Sequence, residues 1–164
     1  MGYTGSYLWQ LRQHVGNQLV LMPGAQVVLV DGEGRILFQR RADTGEWDIP
    51  AGSCEENSTF ASTAVTELAE ETGIQVTEEA LVPFGCLSDP SVHTVRYPNG
   101  DLTHCFAMLY EVRTWSGEIT PEPGEVIEAA FHDPGSPPSP LQKQTGVALE
   151  MYLAYRRTGT FQNR

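Results

Sequence analysis

The chain is expected to fold as one α+β domain, with helices layered against a mixed sheet. Its 164 residues match one ordinary domain and fall short of two. A 40% hydrophobic share can build a core, and 19% charged residues are too few for a disordered polyelectrolyte. The apolar period switches irregularly between two and 3.6 residues. That excludes a helical bundle and a regular βαβ array, and favours an α/β/α layered domain over residues 1–164.

Each element follows from local signals. Tyr7–Val15 places Leu8, Leu11 and Val15 at helical spacing, giving a short helix at about 6–16. Pro23-Gly24 is read as a breaker. Gln26–Val30 and Arg35–Gln39, joined by Asp31-Gly32-Glu33-Gly34, read as a hairpin. Trp47-Asp48-Ile49 is a very short strand stopped by Pro50. From Thr59 to Thr72 the stripe Ala61, Ala64, Val65, Leu68 predicts a helix, with Ser58 or Thr59 as N-cap and Gly73 at its end. Strands follow near Leu81–Leu87, Val92–Tyr97 and Thr103–Val112, the last two joined by Pro98-Asn99-Gly100-Asp101, whose Asn-Gly step favours a hairpin turn. Ile127–His132 is a further strand. Pro134–Pro140 is a stiff linker, and a closing helix covers Gln142–Arg156, about 141–157.

Composition also excludes functions. Ten Lys and Arg against 21 Asp and Glu leave a net charge of −11, which repels nucleic-acid backbones; no nucleic-acid polymer is expected as partner. No run approaches the ~18 apolar residues of a membrane span, and the N-terminus lacks a basic and then apolar leader. Cys54, Cys86 and Cys105 are an odd number without a close pair, against a disulfide scaffold or a zinc ribbon. A cytoplasmic protein with no membrane partner is the expectation.

Most motifs of phosphate, metal or nucleophile chemistry are missing: no Walker loop, no GxGxxG, no HExxH, no GxSxG. His14, His93, His104 and His132 are scattered. What remains is acidic. On a helix, Glu67, Glu70 and Glu71 stand at i, i+3, i+4 and share a narrow arc. Such like charges repel each other by a few tenths of a kcal/mol per pair, unless a hard divalent cation reverses the sign. A solvated acidic face is the plainer reading of the spacing alone.

The flanks resolve this in favour of chemistry. Residues 52–74 resemble the Nudix box, Gly-x5-Glu-x7-Arg-Glu-φ-x-Glu-Glu-x-Gly-φ with φ aliphatic. Gly52, Glu67, Leu68, Glu70, Glu71, Gly73 and Ile74 are in register, seven of nine fixed positions. Trp47-Asp48-Ile49-Pro50-Ala51-Gly52 looks like the strand that leads into that box, and the resemblance extends over most of residues 20–156. Two positions depart: Ser58 replaces the usual Glu and Thr66 the usual Arg. Losing both leaves no buried charge unpaired, and Glu55 or Glu56 is close enough to stand in for the missing carboxylate.

The resemblance implies a Nudix-type α/β/α sandwich with a mixed central sheet. It also implies hydrolysis of a pyrophosphate bond in a nucleoside diphosphate linked to another group, with Mg²⁺, or alternatively Mn²⁺. By position, the metal set is Glu67, Glu70, Glu71 and the Gly52 carbonyl, and the catalytic set is Glu67, Glu71 and Glu125. Glu122 and Glu128 are alternatives to Glu125 in the acidic loop. Arg40 and Arg41 are candidates for phosphate contact, since Arg forms bidentate pairs with such oxygens, and Trp47 and Tyr97 for stacking. Phe106 is a further aromatic of that kind. The partner is a small-molecule nucleotide, and a homodimer stays open. The rival reading is a Nudix-fold nucleotide-binding module without turnover, favoured by Ser58 and Thr66.

Overall fold

The computed structural model describes residues 4–97 and 99–164. Its organising strand is β1 (Val20–Leu29). It runs parallel to β7 (Leu102–Val112), from Val20 opposite Thr103 to Leu29 opposite Val112, and antiparallel to β4 (Ala51–Ser53). Beyond β7 lie β5 (Val82–Leu87) and the C-terminal β9 (Gln162–Asn163), with β6 (Thr94–Arg96) also on β7. A second sheet has the order β3 (Trp47–Asp48), β2 (Ile36–Arg41), β8 (Val126–His132).

Alternation along the strands supplies a core on each side. Ala25, Val27, Leu29 and Leu37 pack with Ala64 and Leu68 of α2 (Phe60–Thr72). Val28, Ile36, Phe38 and Leu109 pack with Ala148 and Met151 of α4 (Lys143–Thr158). The α/β/α sandwich follows. Helix α2 starts where Thr59 and Ser62 exchange capping hydrogen bonds, and ends on Gly73, whose φ of 77° is left-handed. Among the described residues no helix is long and apolar enough to cross a membrane.

Three expectations are corrected. The Asp31–Gly34 turn forms, but it does not close a hairpin. Apart from one bridge between Val30 and Ile36, β1 and β2 belong to different sheets, because β7 and β8 supply their ladders. Pro23-Gly24 lies inside β1: Gly24 lacks the Cβ that would sit 2.5 Å from the Gly52 carbonyl oxygen, so β4 can approach. Val92 and His93 belong to a short helix, α3 (Pro90–His93), because Asp89 caps it and Pro90 fills its first position; only Thr94–Arg96 is strand. The β6–β7 turn forms at Asn99–Asp101, with Pro98 outside the described residues.

Helix α1 (Tyr7–Val15) is tied to the β6–β7 hairpin through Arg12. Its guanidinium donates to the carbonyls of Gly16, Gln18 and Leu102 and to the Thr103 hydroxyl, 3.6 Å from the buried Asp101 carboxylate. Arg12→Ala should therefore lower unfolding stability by ~2 kcal/mol, as charged hydrogen bonds of this kind are each worth ~1.5–3 kcal/mol. An unchanged urea midpoint would mean that the helix is held by other contacts.

Candidate active site

The acidic helix meets the sheet at a cleft of about 230 Å³, whose wall includes Gly52, Glu67, Glu71, Arg41, Tyr97 and Glu125. Helix phase decides which glutamate is buried. Glu71 continues the inward stripe of Ala64 and Leu68, so its side chain enters the protein at 6% exposure. There its Oε2 accepts from Gln39 Nε2 at 2.8 Å and from the Ala51 N–H at 3.0 Å. Burial, then repulsion from Glu67 and Asp48, outweighs those bonds and pushes its carboxyl up to about 8.

Glu67 lies one turn earlier, half-buried. A Cβ on Gly52 would overlap its carboxylate, so this glycine is required for the approach. Burial, followed by the charges of Glu70, Glu125, Glu55 and Glu122, pushes Glu67 up to about 7. Glu70 is exposed at the rim. The Glu118–Glu125 loop is brought over the helix end by backbone bonds from Thr120 to Thr72 and from Glu122 to Glu71. Glu125 thereby reaches the cleft, while Glu128 sits opposite Arg40 on the β8–β2 ladder and outside it.

Two substrate candidates are corrected. Trp47 is 7% exposed, in the α4-side core with its ring edge-on to His132 at 5.3 Å; it is a packing residue. Arg40 alternates with Gln39 and Arg41 along β2, so it faces the other side, where its Nε donates to Gly45 O. Arg41 and Tyr97 both line the cleft, but Arg41 is already engaged by Asp43 in a bidentate pair at 2.9 Å. Phe106 is exposed on β7, tilted against His104.

The structure also shows what replaces the altered box positions. Ser58 Oγ donates to Glu55 O at 2.8 Å and accepts from Thr63 Oγ1 at 3.1 Å; Thr66 is exposed. Glu55 accepts the first helical N–H of α1, from Tyr7, at 2.8 Å. That contact spans 48 residues, and no local signal announces it. Gln39, which orients Glu71, is equally invisible in the sequence, since nothing about an isolated Gln in a strand marks a partner on another element.

Fold and site together define an α/β/α protein with a carboxylate centre at one end of a cleft. A NUDIX domain family model matches residues 20–152, and the chain belongs to that family. A MutT-like protein of Streptomyces ambofaciens is 43% identical over 54 residues, 33% of this chain and 35% of that protein. An RNA pyrophosphohydrolase of Sphingopyxis alaskensis is 37% identical over 60 residues, 35% of this chain and 38% of its own length. The match thus spans little more than a third of these relatives. An ADP-ribose pyrophosphatase from Streptococcus suis superposes with a TM-score of 0.66 at 22% identity, covering 87% of this chain and 97% of that one, which shows a shared fold.

Proposed function

We propose that the protein hydrolyses a pyrophosphate bond in a small nucleoside diphosphate derivative, with a divalent cation, Mg²⁺ or Mn²⁺, held by Glu67, Glu70 and Glu71. The observation that carries this is the pair Glu67 and Glu71 at the box positions, the first against Gly52 and the second held by Gln39 and the Ala51 N–H, with carboxyls pushed up to about 7 and about 8. The displacement comes first from burial and then from neighbouring carboxylates, and the Gln39 and Ala51 bonds to Glu71 offset only part of it. Among the described residues no group of three or more His, Cys, Asp or Glu side chains is arranged to hold a metal ion. The donor set is nonetheless what a hard cation takes: carboxylate oxygens carried on one helix. When bound, the cation would neutralise phosphate charge and sharpen a water for attack on phosphorus.

The chain's own residues do the rest. Gln39 and the Ala51 N–H fix Glu71, leaving its second oxygen as a rigid ligand. Glu67, half-buried at the cleft, is placed either to hold the cation or, as the alternative, to accept the proton of the attacking water. Glu125, exposed on its loop, supplies a further carboxylate at the cleft. A phosphate-release screen over nucleoside triphosphates, ADP-ribose, nucleotide sugars, dinucleotide polyphosphates and a 5′-triphosphorylated RNA, with Mg²⁺ and Mn²⁺, tests the reading. The −11 charge favours the small substrates over the RNA. Binding without turnover throughout would support the rival sensing module, which Ser58 and Thr66 favour.

Gly52→Ala checks the packing that the site depends on. The added methyl displaces the Glu67 carboxylate, so kcat/KM should fall ~10–100-fold, the scale of a misplaced catalytic group. Wild-type turnover in that variant would remove the close approach from the mechanism.

A further inference from the structure

Past the carboxylates, the cleft continues toward the α4 side of the sheet, and its character changes. Ala25 and Val27 face α2, so the intervening Gln26 faces the other way, with Val28. Gln26, Asp48, His93, Gln142 and Gln144 line the cleft, in the same wall as Arg41 and Arg96. His93 is held neutral by burial, and its Nδ1 lies 3.3 Å from the Leu87 carbonyl, which makes that nitrogen the donor and leaves Nε2 an acceptor. Asp48 is buried with a carboxyl pushed up by that burial, and its Oδ1 accepts from the Ile49 N–H and from the Thr145 hydroxyl. Leu8, Met22, Val95 and Ala107 add apolar surface.

Gln26 is the anomaly. It is only 4% exposed, and its Oε1 is buried with no hydrogen-bond partner among the described residues. A buried acceptor left unmet costs ~1–3 kcal/mol, and folded proteins rarely leave one. Val28, two residues on and on the same face, is aliphatic and buried. Gln26 lines the cleft, and a half-turn of its amide exchanges nitrogen and oxygen, so the acceptor kept here can meet a donor that arrives with a ligand.

We propose that Gln26 reads an N–H on the edge of a nucleobase seated in this end of the cleft. The inference rests on the reading that the cleft takes a nucleoside diphosphate derivative, and it assigns the base to one residue. The whole cleft, about 230 Å³, is below the ~300 Å³ at which pockets for drug-sized ligands begin, so it accommodates one planar heterocycle while the phosphates stay at the carboxylate mouth. The apolar side chains Leu8, Met22, Val95 and Ala107, together with the amides of Gln26, Gln142 and Gln144, match a base, whose faces are apolar and whose edge alternates N–H and acceptor.

The test uses uncharged ligands, so that it needs neither a cation nor turnover. Adenosine, guanosine, cytidine, uridine and ribose are titrated into wild type, Gln26→Met and Gln26→Asn. At least one nucleoside should bind wild type at least tenfold more tightly than ribose. Gln26→Met should lose tenfold or more of that affinity with its unfolding midpoint unchanged or raised, and Gln26→Asn should fall between. An analogue methylated at the donor nitrogen should bind wild type and Gln26→Met alike. Equal affinity of wild type and Gln26→Met for every nucleoside would overturn the assignment and leave an ordered water as the partner of Oε1. So would nucleosides that bind no better than ribose. Nucleoside binding that survives a failed phosphate-release screen would overturn the hydrolase reading while keeping this one; the opposite pattern would do the reverse.

Discussion

Glu71→Gln is expected to reduce kcat by two orders of magnitude or more and to leave the protein at least as stable as wild type. The two effects share one cause. At this position a carboxylate is desolvated, and it faces Glu67 and Asp48; burial disfavours its charged form, as the carboxyl near 8 records. An amide of the same size relieves that cost. Its oxygen, placed where Oε2 sits, can keep the bonds from both the Ala51 N–H and Gln39 Nε2, and its nitrogen takes the place of the other oxygen. What disappears is the charge that would hold a cation at the scissile phosphates, and losing one preorganised electrostatic group of this kind typically costs ~100–1,000-fold in rate. Glu125→Gln, on an exposed loop, should cost less. Thermal melts and single-substrate kinetics on both variants check the pattern. Wild-type turnover in Glu71→Gln would remove this residue from the machinery, and a large loss of stability would show that its charge supports the fold.

Some of this site is legible in the sequence because it is local. The i, i+3, i+4 glutamates, the capping Thr59 and the terminal Gly73 belong to one helix, where spacing fixes geometry. Even the burial of Glu71 is readable, since it follows Leu68 by three residues and Ala64 by seven on the inward stripe. Signals fail where two distant segments meet. The turn after Val30 looks like a hairpin because turn chemistry is local, yet the partners of the flanking strands are β7 and β8, more than 70 residues away. Arg40 and Arg41 are equivalent in composition and separated only by strand phase, which the register on β8 sets. Trp47 reads as a stacking platform until its ring is found against His132. Gln39 and Gln26, which face the carboxylates and the inner end of the cleft, are glutamines in apolar strands. Only the three-dimensional neighbours distinguish them from tolerated polar residues.

Divalent cation should reverse the pH dependence of stability, and its removal should abolish turnover. In the metal-free protein Glu67 and Glu71 have carboxyls raised above their ordinary value, to about 7 and about 8. Folding therefore favours their protonated forms. That stabilisation is complete below ~pH 4.5, where the unfolded chain is protonated too, and it is lost as pH rises through 7 and 8. The lowered carboxyls of Asp31, Asp43 and Asp89 titrate below this window, and the raised Asp48 and Glu122 act in the same direction as the two glutamates. In EDTA the melting temperature should fall across that interval. With Mn²⁺ the ionised carboxylates become ligands, and binding to the folded state alone adds RT ln(1 + [L]/Kd), ~2.7 kcal/mol at a hundred times Kd. Because protons compete for the same oxygens, this gain grows with pH and opposes the loss. Melts at pH 6, 7 and 8.5 in EDTA and in millimolar Mn²⁺ read both slopes, and the Glu67→Gln/Glu71→Gln double variant should show a shallower slope in both. A wild-type melting temperature independent of pH in EDTA would contradict the buried, mutually repelling pair. Hydrolysis that persists in EDTA would detach the chemistry from these carboxylates altogether.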